Sequence, residues 1–132
     1  MAEDNNDDVI SWGPHKINRH WKLVFEVADS DVRFEFTYDQ LDQIMMGLSN
    51  PEDSFYPEVD LSIVNGAERG IIREHTRISM PEPGVLNIED LGSQSGTILN
   101  GIRILPHLPR ILRRNDDITL GQIKLLVLWK PV

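Results

Sequence analysis

The side chains of this 132-residue chain whose type and spacing could suggest a chemical or charge-binding site are few. They are the histidines at positions 15, 20, 75 and 107, the serines of Gly92-Ser93-Gln94-Ser95-Gly96, and arginines at 69, 73, 103, 110, 113 and 114. The histidines lack metal-site spacing and there is no cysteine to join them, so no metal centre is expected. The Gly-Ser-Gln-Ser-Gly phrase resembles a nucleophile elbow only superficially, because its central residue, Gln94, stands where the serine must be. His75, Asp90 and Ser93 or Ser95 can be threaded into a triad, but three such residues occur by chance in most chains. No Gly-x-x-x-x-Gly-Lys-Ser/Thr phosphate loop is present. The expectation is a non-enzymatic protein without cofactor.

The glycines say more. Gly92, Gly96 and Gly101 mark three sharp bends or close approaches within ten residues, and Asn115-Asp116 forms another turn before Gly121. Tight loops with small polar side chains could cradle an extended peptide or an anion on backbone N–H groups and hydroxyls. Equally, the same glycines serve to close hairpins.

The elements that position these residues read as strands. Trp21 to Val27 and Val32 to Tyr38 alternate apolar with polar residues around the turn-forming Ala28-Asp31. Leu41 to Leu48 has the composition to begin as a short helix and ends at Gly47, before a loop signalled by Asn50-Pro51 and Pro57. Residues 59–64 and 71–80 follow as apolar runs, with Pro81-Glu82-Pro83-Gly84 turning into residues 85–91. Asn100-Gly101 favours a tight hairpin between two very short strands, and the chain ends on a short strand and a long one. Strands every 8 to 12 residues with turn chemistry between them give an all-β fold, an antiparallel β-sandwich of two sheets. Leu23, Phe25, Phe34 and Phe36 are its expected core, and function is expected in the loops at one end.

Length allows one domain, read as an acidic, flexible tail over residues 1–20 and a folded unit over residues 21–132. The absence of cysteine fits a reducing, cytoplasmic address, and neither a signal peptide nor an apolar span is expected, so no membrane is implied. The net charge of −8 is uneven: residues 1–60 carry 14 acids against 4 bases, whereas no acid occurs from Leu91 to Asn115. Arg103, Arg110, Arg113 and Arg114 lie in or beside that span and could make a nucleic-acid surface. The overall acidity and only nine aromatics argue against it.

The order Gly70-x-x-Arg73-x-His75-x-Arg77-Ile78, a hairpin, Asp90-Leu91-Gly92-Ser93-x-x-Gly96-Thr97-x-x-Asn100-Gly101, and an acidic turn before Ile118-x-x-Gly121 resembles the forkhead-associated (FHA) domain. The likeness runs from about Trp21 to the final strand. It implies an FHA/SMAD-like sandwich of about eleven strands whose end loops recognise phosphothreonine peptides in signalling. The family's arginine after the third strand, its serine and its asparagine before Gly-Thr correspond here to Leu48, Ile72 and Ser95. Gly47, His75, Gly96 and Thr97 correspond to its structural support, with His75 a packed histidine beneath the site. The expected peptide- or phosphate-contacting set is therefore Leu48, Arg69, Ile72, Arg73, Ser93, Gln94, Ser95 and Asn100. Two readings follow for a protein or peptide partner. Either phosphothreonine recognition is weakened or lost and Leu48 and Ile72 form a closed cap or an apolar notch, or Arg69, Arg73 and Ser95 substitute as phosphate ligands. Nucleic-acid binding through Arg103 to Arg114 is a third.

Overall fold

A computed structural model describes residues 16–132. It contains eleven strands: β1 (Trp21–Val27), β2 (Arg33–Phe36), β3 (Gln43–Gly47), β4 (Val59–Asp60), β5 (Glu74–Glu82), β6 (Val85–Asp90), β7 (Thr97–Leu99), β8 (Ile102–Arg103), β9 (Arg110–Leu112), β10 (Asp117–Leu120) and β11 (Ile123–Pro131). They form a six-stranded sheet in the order β2-β1-β11-β10-β7-β8 and a five-stranded sheet in the order β4-β3-β5-β6-β9. All pairings are antiparallel except the short β3–β4 pair. The expected all-β sandwich is the fold observed.

The two-residue beat dictates which side chains meet between the sheets. On β1, Leu23 and Phe25 are fully buried and stand opposite Trp129 and Val127 of β11. Ile44 and Met46 of β3, Ile78 of β5 and Ile88 of β6 join the same core from the other sheet. Each such side chain contributes roughly 1.5–3 kcal/mol by leaving water. Phe25 meets Phe36 edge to face, with centroids 6.1 Å apart. Of the expected core, Leu23, Phe25 and Phe36 are buried, and Phe34 is partly buried against it.

Three local expectations change. The stretch from Leu41 is not helical: Ile44 and Met46 point inward while Gln43 is exposed, so the period is two, and β3 pairs with β5. Only a single 3-10 turn, Tyr38–Gln40, precedes it. Residues 59–64 hold a two-residue strand followed by a 3-10 turn, Leu61–Val64, because the Asp60 carboxylate accepts from Ser62 N at 3.0 Å and caps the turn. The expected tail lies mostly outside the described residues, but Ile17 is buried and its N–H donates to the Gly84 carbonyl at 2.9 Å, so packing begins before Trp21.

The predicted hairpin at Asn100-Gly101 is present, with φ of 50° and 84°. Such left-handed pairs match the twist of the flanking strands. Among the described residues, no helix is long and apolar enough to cross a membrane.

Candidate functional site

Four connections meet at one end of the sandwich: β3–β4 (residues 48–58), β4–β5 (61–73), β6–β7 (91–96) and the β10–β11 turn. Their meeting is enforced by backbone contact. At Gly47 an added Cβ would lie 1.9 Å from the Arg73 carbonyl oxygen, so any side chain forces the backbone to move, and the Leu48 N–H donates to that carbonyl at 3.2 Å. Gly121 backs onto the Arg69 carbonyl in the same way, and Gln122 N–H donates to it at 2.8 Å. The Ser95 hydroxyl donates to the Gly70 carbonyl at 2.7 Å, which ties the β6–β7 loop to the β4–β5 loop.

Beneath these loops lies a closed polar network. Asp90, buried at the end of β6, accepts four hydrogen bonds: from Ser93 Oγ at 2.6 Å, Thr97 Oγ1 at 2.7 Å, and Gly92 and Ser93 N–H at 3.1 Å each. Burial opposes its ionisation, but the donors from Ser93, Thr97 and Gly92 outweigh it and hold the carboxyl below the ordinary carboxylate range. Because the Thr97 hydroxyl is donated to Asp90, it must accept from Thr76 Oγ1 at 2.8 Å. Ser93 Oγ also accepts from Gly96 N–H at 3.0 Å.

His75 is fully buried among the same residues. Its Nδ1 accepts from Ile72 N–H at 3.3 Å, so Nε2 carries the proton and donates to the Gly96 carbonyl at 2.9 Å. The ring thereby joins the β4–β5 and β6–β7 loops. Burial pushes its pKa below the usual imidazole value, against the opposing pull of Gly96 and Asp90. Its environment is that of a neutral strut.

The expected contact residues divide. Leu48 is half-buried and packs toward the core, close enough to Gly66 that a Cβ there would lie 2.8 Å from Leu48 Cδ2. Ile72, on the facing segment, is 41% exposed. Leu48, Ile72, Arg73, Gln94 and Ser95 are brought to the same loop cluster. Ser93 is buried in the Asp90 network, which removes it from a contact surface. Asn100 is not brought to these loops: its side chain bridges Asp116 Oδ1 and Asp117 N–H, both at 2.9 Å, at the far end of β7 from Ser95. Three strand residues set those ends about 10 Å apart.

The arginines are held by neighbours. Arg69 donates to the Val64 and Gln122 carbonyls at 3.3 and 3.0 Å. Arg73 pairs with Asp53 and stacks 4.6 Å from the Phe55 ring centroid, which clamps the β3–β4 loop to the β4–β5 loop. Neither partner was legible in the sequence, since only folding brings residues 53 and 55 to 73. Arg103 was assigned by sequence to the nucleic-acid alternative. It instead donates to the Gln94 carbonyl at 3.1 Å, and its guanidinium lies against Gly96. Arg114 stacks on Trp21, 4.5 Å from the centroid. Arg103 and Arg114 therefore serve different surroundings, one against the β6–β7 loop and one on an aromatic ring of β1.

Comparison with known proteins places this architecture. Over 75 residues the chain is 36% identical to protein FraH of Nostoc sp., covering 57% of the chain and 25% of FraH, so it spans about a quarter of that curated relative. The FHA domain of the Chlamydia trachomatis CT664 protein superposes with a TM-score of 0.62 at 27% identity, covering 81% of this chain and 96% of that one. Mycobacterium tuberculosis EmbR, solved in complex with a low-affinity phosphopeptide, superposes with a TM-score of 0.65 at 15% identity, over 84% of this chain and 25% of EmbR. The FHA domain profile matches residues 53–121, more than half of the chain and all of the β4–β5 and β6–β7 loops. With the two-sheet topology and the His75–Gly96 strut in place, that match shows that the chain belongs to the FHA domain family.

Proposed function

We propose that this chain is a non-enzymatic protein-interaction domain whose binding end has lost most of its affinity for phosphothreonine. The observation that carries the reading is the position of Leu48, Ile72 and Ser95. Leu48 and Ile72 stand on the facing segments joined by the Leu48 N–H to Arg73 carbonyl bond, and the Ser95 hydroxyl is already committed to Gly70. Where the family resemblance places an arginine and a serine, this chain presents two branched apolar side chains. Each charge-assisted hydrogen bond lost removes roughly 1.5–3 kcal/mol, so two such losses turn a micromolar phosphate site into a millimolar one.

A second reading is favoured by one observation. The Arg73–Asp53 pair is exposed, 44% and 53% at its side chains, and such pairs contribute at most about 1 kcal/mol. A phosphate dianion could displace Asp53 and recruit Arg73 together with Ser95. Arg69, held by two backbone carbonyls, is poorly placed to join them.

Paired peptides, identical except for phosphorylation of one threonine, separate the readings by fluorescence anisotropy. The first expects no more than a few-fold gain from the phosphate. A gain of a hundredfold or more establishes the second. EmbR, which shares this fold over a quarter of its length, is held in complex with a low-affinity phosphopeptide.

A further inference from the structure

We infer that the loop end takes a basic, apolar segment of a partner protein, in which a branched or aromatic side chain is flanked by lysine or arginine. This rests on the reading that phosphate is not the main ligand, and it deepens that reading by fixing the sign of the partner's charge.

The charge balance of the site loops carries the inference. Residues 48–74 contain six acids, Glu52, Asp53, Glu58, Asp60, Glu68 and Glu74, and only two basic residues, Arg69 and Arg73. All of these acids except Asp60 are exposed. Asp60 is opposed in its ionisation by burial, but donors from Ser62 and Ser49 outweigh this and keep it charged. Both basic residues are engaged, and Arg73 neutralises Asp53, so the excess rests on Glu52, Glu58, Asp60, Glu68 and Glu74 against Arg69. Arg69 is bound to two carbonyls, Arg73 to Asp53 and Phe55, and Arg103 to the Gln94 carbonyl. The loops therefore offer excess negative charge to solvent, and an approaching anion meets like charge while a cation is drawn in.

The same loops expose apolar area. Ile72 is 41% exposed, and Ile63 and Tyr56 are each 63% exposed. Ile63 follows Ser62, whose hydroxyl lies 3.3 Å from the Ser49 N–H, so its loop is fastened beside Leu48. Backbone bonds fasten the loop that carries Ile63 and Ile72, with Ile71 N–H on Gly66 O and Gly66 N–H on Leu61 O, both at 2.9 Å. Exposed apolar side chains on loops of net negative charge match a partner segment of net positive charge with an apolar anchor.

The test is selection of a random, unphosphorylated 12-residue peptide library on the folded chain. Synthetic versions of the selected peptides are then measured by anisotropy at low and high salt. The expected winners carry net positive charge around an aliphatic or aromatic residue and weaken as salt rises. The surface variant Glu52→Lys/Glu68→Lys/Glu74→Lys is expected to bind them at least about tenfold more weakly. Ile63→Ser/Ile72→Ser is expected to lose them as well, with circular dichroism confirming both folds. Winners that are neutral or acidic, no enrichment over an unrelated β-sandwich, or unchanged affinity in the charge-reversed variant each overturn the proposal. The phosphopeptide pair runs in parallel. A large phosphate-dependent gain there overturns the underlying reading, whereas absent gain with no basic preference overturns only this inference.

Discussion

Ser95 and Gly70, 25 residues apart, are joined by a 2.7 Å hydrogen bond from the serine hydroxyl to the glycine carbonyl, and this bond fastens two loops of the binding end to each other. The hydroxyl replaces the longer amide expected from the family resemblance, and it has turned to the protein's own backbone. Ser95→Ala should cost about 0.5–1.5 kcal/mol in urea denaturation. It should leave peptide binding almost unchanged. A variant of wild-type stability would mean that the bond is not formed in solution.

The network beneath the loops makes the domain sensitive to acid. Asp90 has a folded pKa depressed below its unfolded value of about 3.9, so its contribution is present above that pH and is lost as pH falls below it. His75 has a folded pKa below its unfolded value of about 6.5, so below that pH the unfolded chain takes up the proton first and stability falls. Stability should thus be flat above about pH 6.5 and decline in two stages on acidification. Nitrogen-edited imidazole spectra should show His75 protonated at Nε2 at neutral pH. A neutral Nδ1–H tautomer would contradict the strut.

Asp90→Asn should be far more damaging than any surface change. The amide retains one acceptor oxygen and turns an NH2 toward groups that all donate. A loss of at least about 2 kcal/mol is expected, measured by thermal or denaturant unfolding. Loss under 1 kcal/mol would show that the four bonds are weaker than their geometry.

Gly47→Ala tests the close approach of β3 to the end of the β4–β5 loop. The added methyl would meet the Arg73 carbonyl, so either β3 or the loop must move. A cost of about 1–3 kcal/mol or more is expected. Amide exchange should quicken from residue 71 to residue 75, where the His75 strut begins. Unaltered exchange there would place the strain elsewhere.

Arg73→Ala removes the exposed Asp53 pair and the Phe55 stack together. Each contributes about 1 kcal/mol or less, so the global loss should stay within about 2 kcal/mol. The β3–β4 loop should nevertheless loosen, visible as faster exchange of residues 50–56. Retained protection would mean that the Asn50–Phe55 backbone bridge suffices on its own.

The triple change Leu48→Arg, Ile72→Ser, Ser95→Asn should install phosphothreonine affinity on this scaffold. A gain of roughly a hundredfold or more over the wild-type chain is expected by calorimetry or anisotropy. If a folded triple variant gains nothing, these three positions do not line one seat.

Much of the architecture was legible because strand burial has a period of two and turns need particular residues. Leu23 and Phe25 announced β1, and Asn100-Gly101 announced its hairpin, from local chemistry alone. Leu41 to Leu48 misled because a short apolar run has the same composition in a helix and a strand. Only pairing with β5 imposed the two-residue beat on Ile44 and Met46. Of the site, Gly47, His75, Gly96 and Thr97 could be placed by the order of their motifs. Ser93 and Asn100 could not be told from contact residues, since a polar side chain in a glycine-rich loop looks the same whether it faces a ligand or its own fold.

The amino-acid order alone determined a two-sheet β-sandwich, its turns and the apolar character of positions 48 and 72, because each depends on neighbours in the chain. The tertiary structure decided which polar groups remain available. Asp53 and Phe55 hold Arg73, the Gln122 carbonyl from the far β10–β11 turn helps hold Arg69, and Gly70 holds Ser95. Hydrogen bonds, ring contacts and ion pairs act over a few ångströms, and only folding brings residues 18 to 53 positions apart within that range.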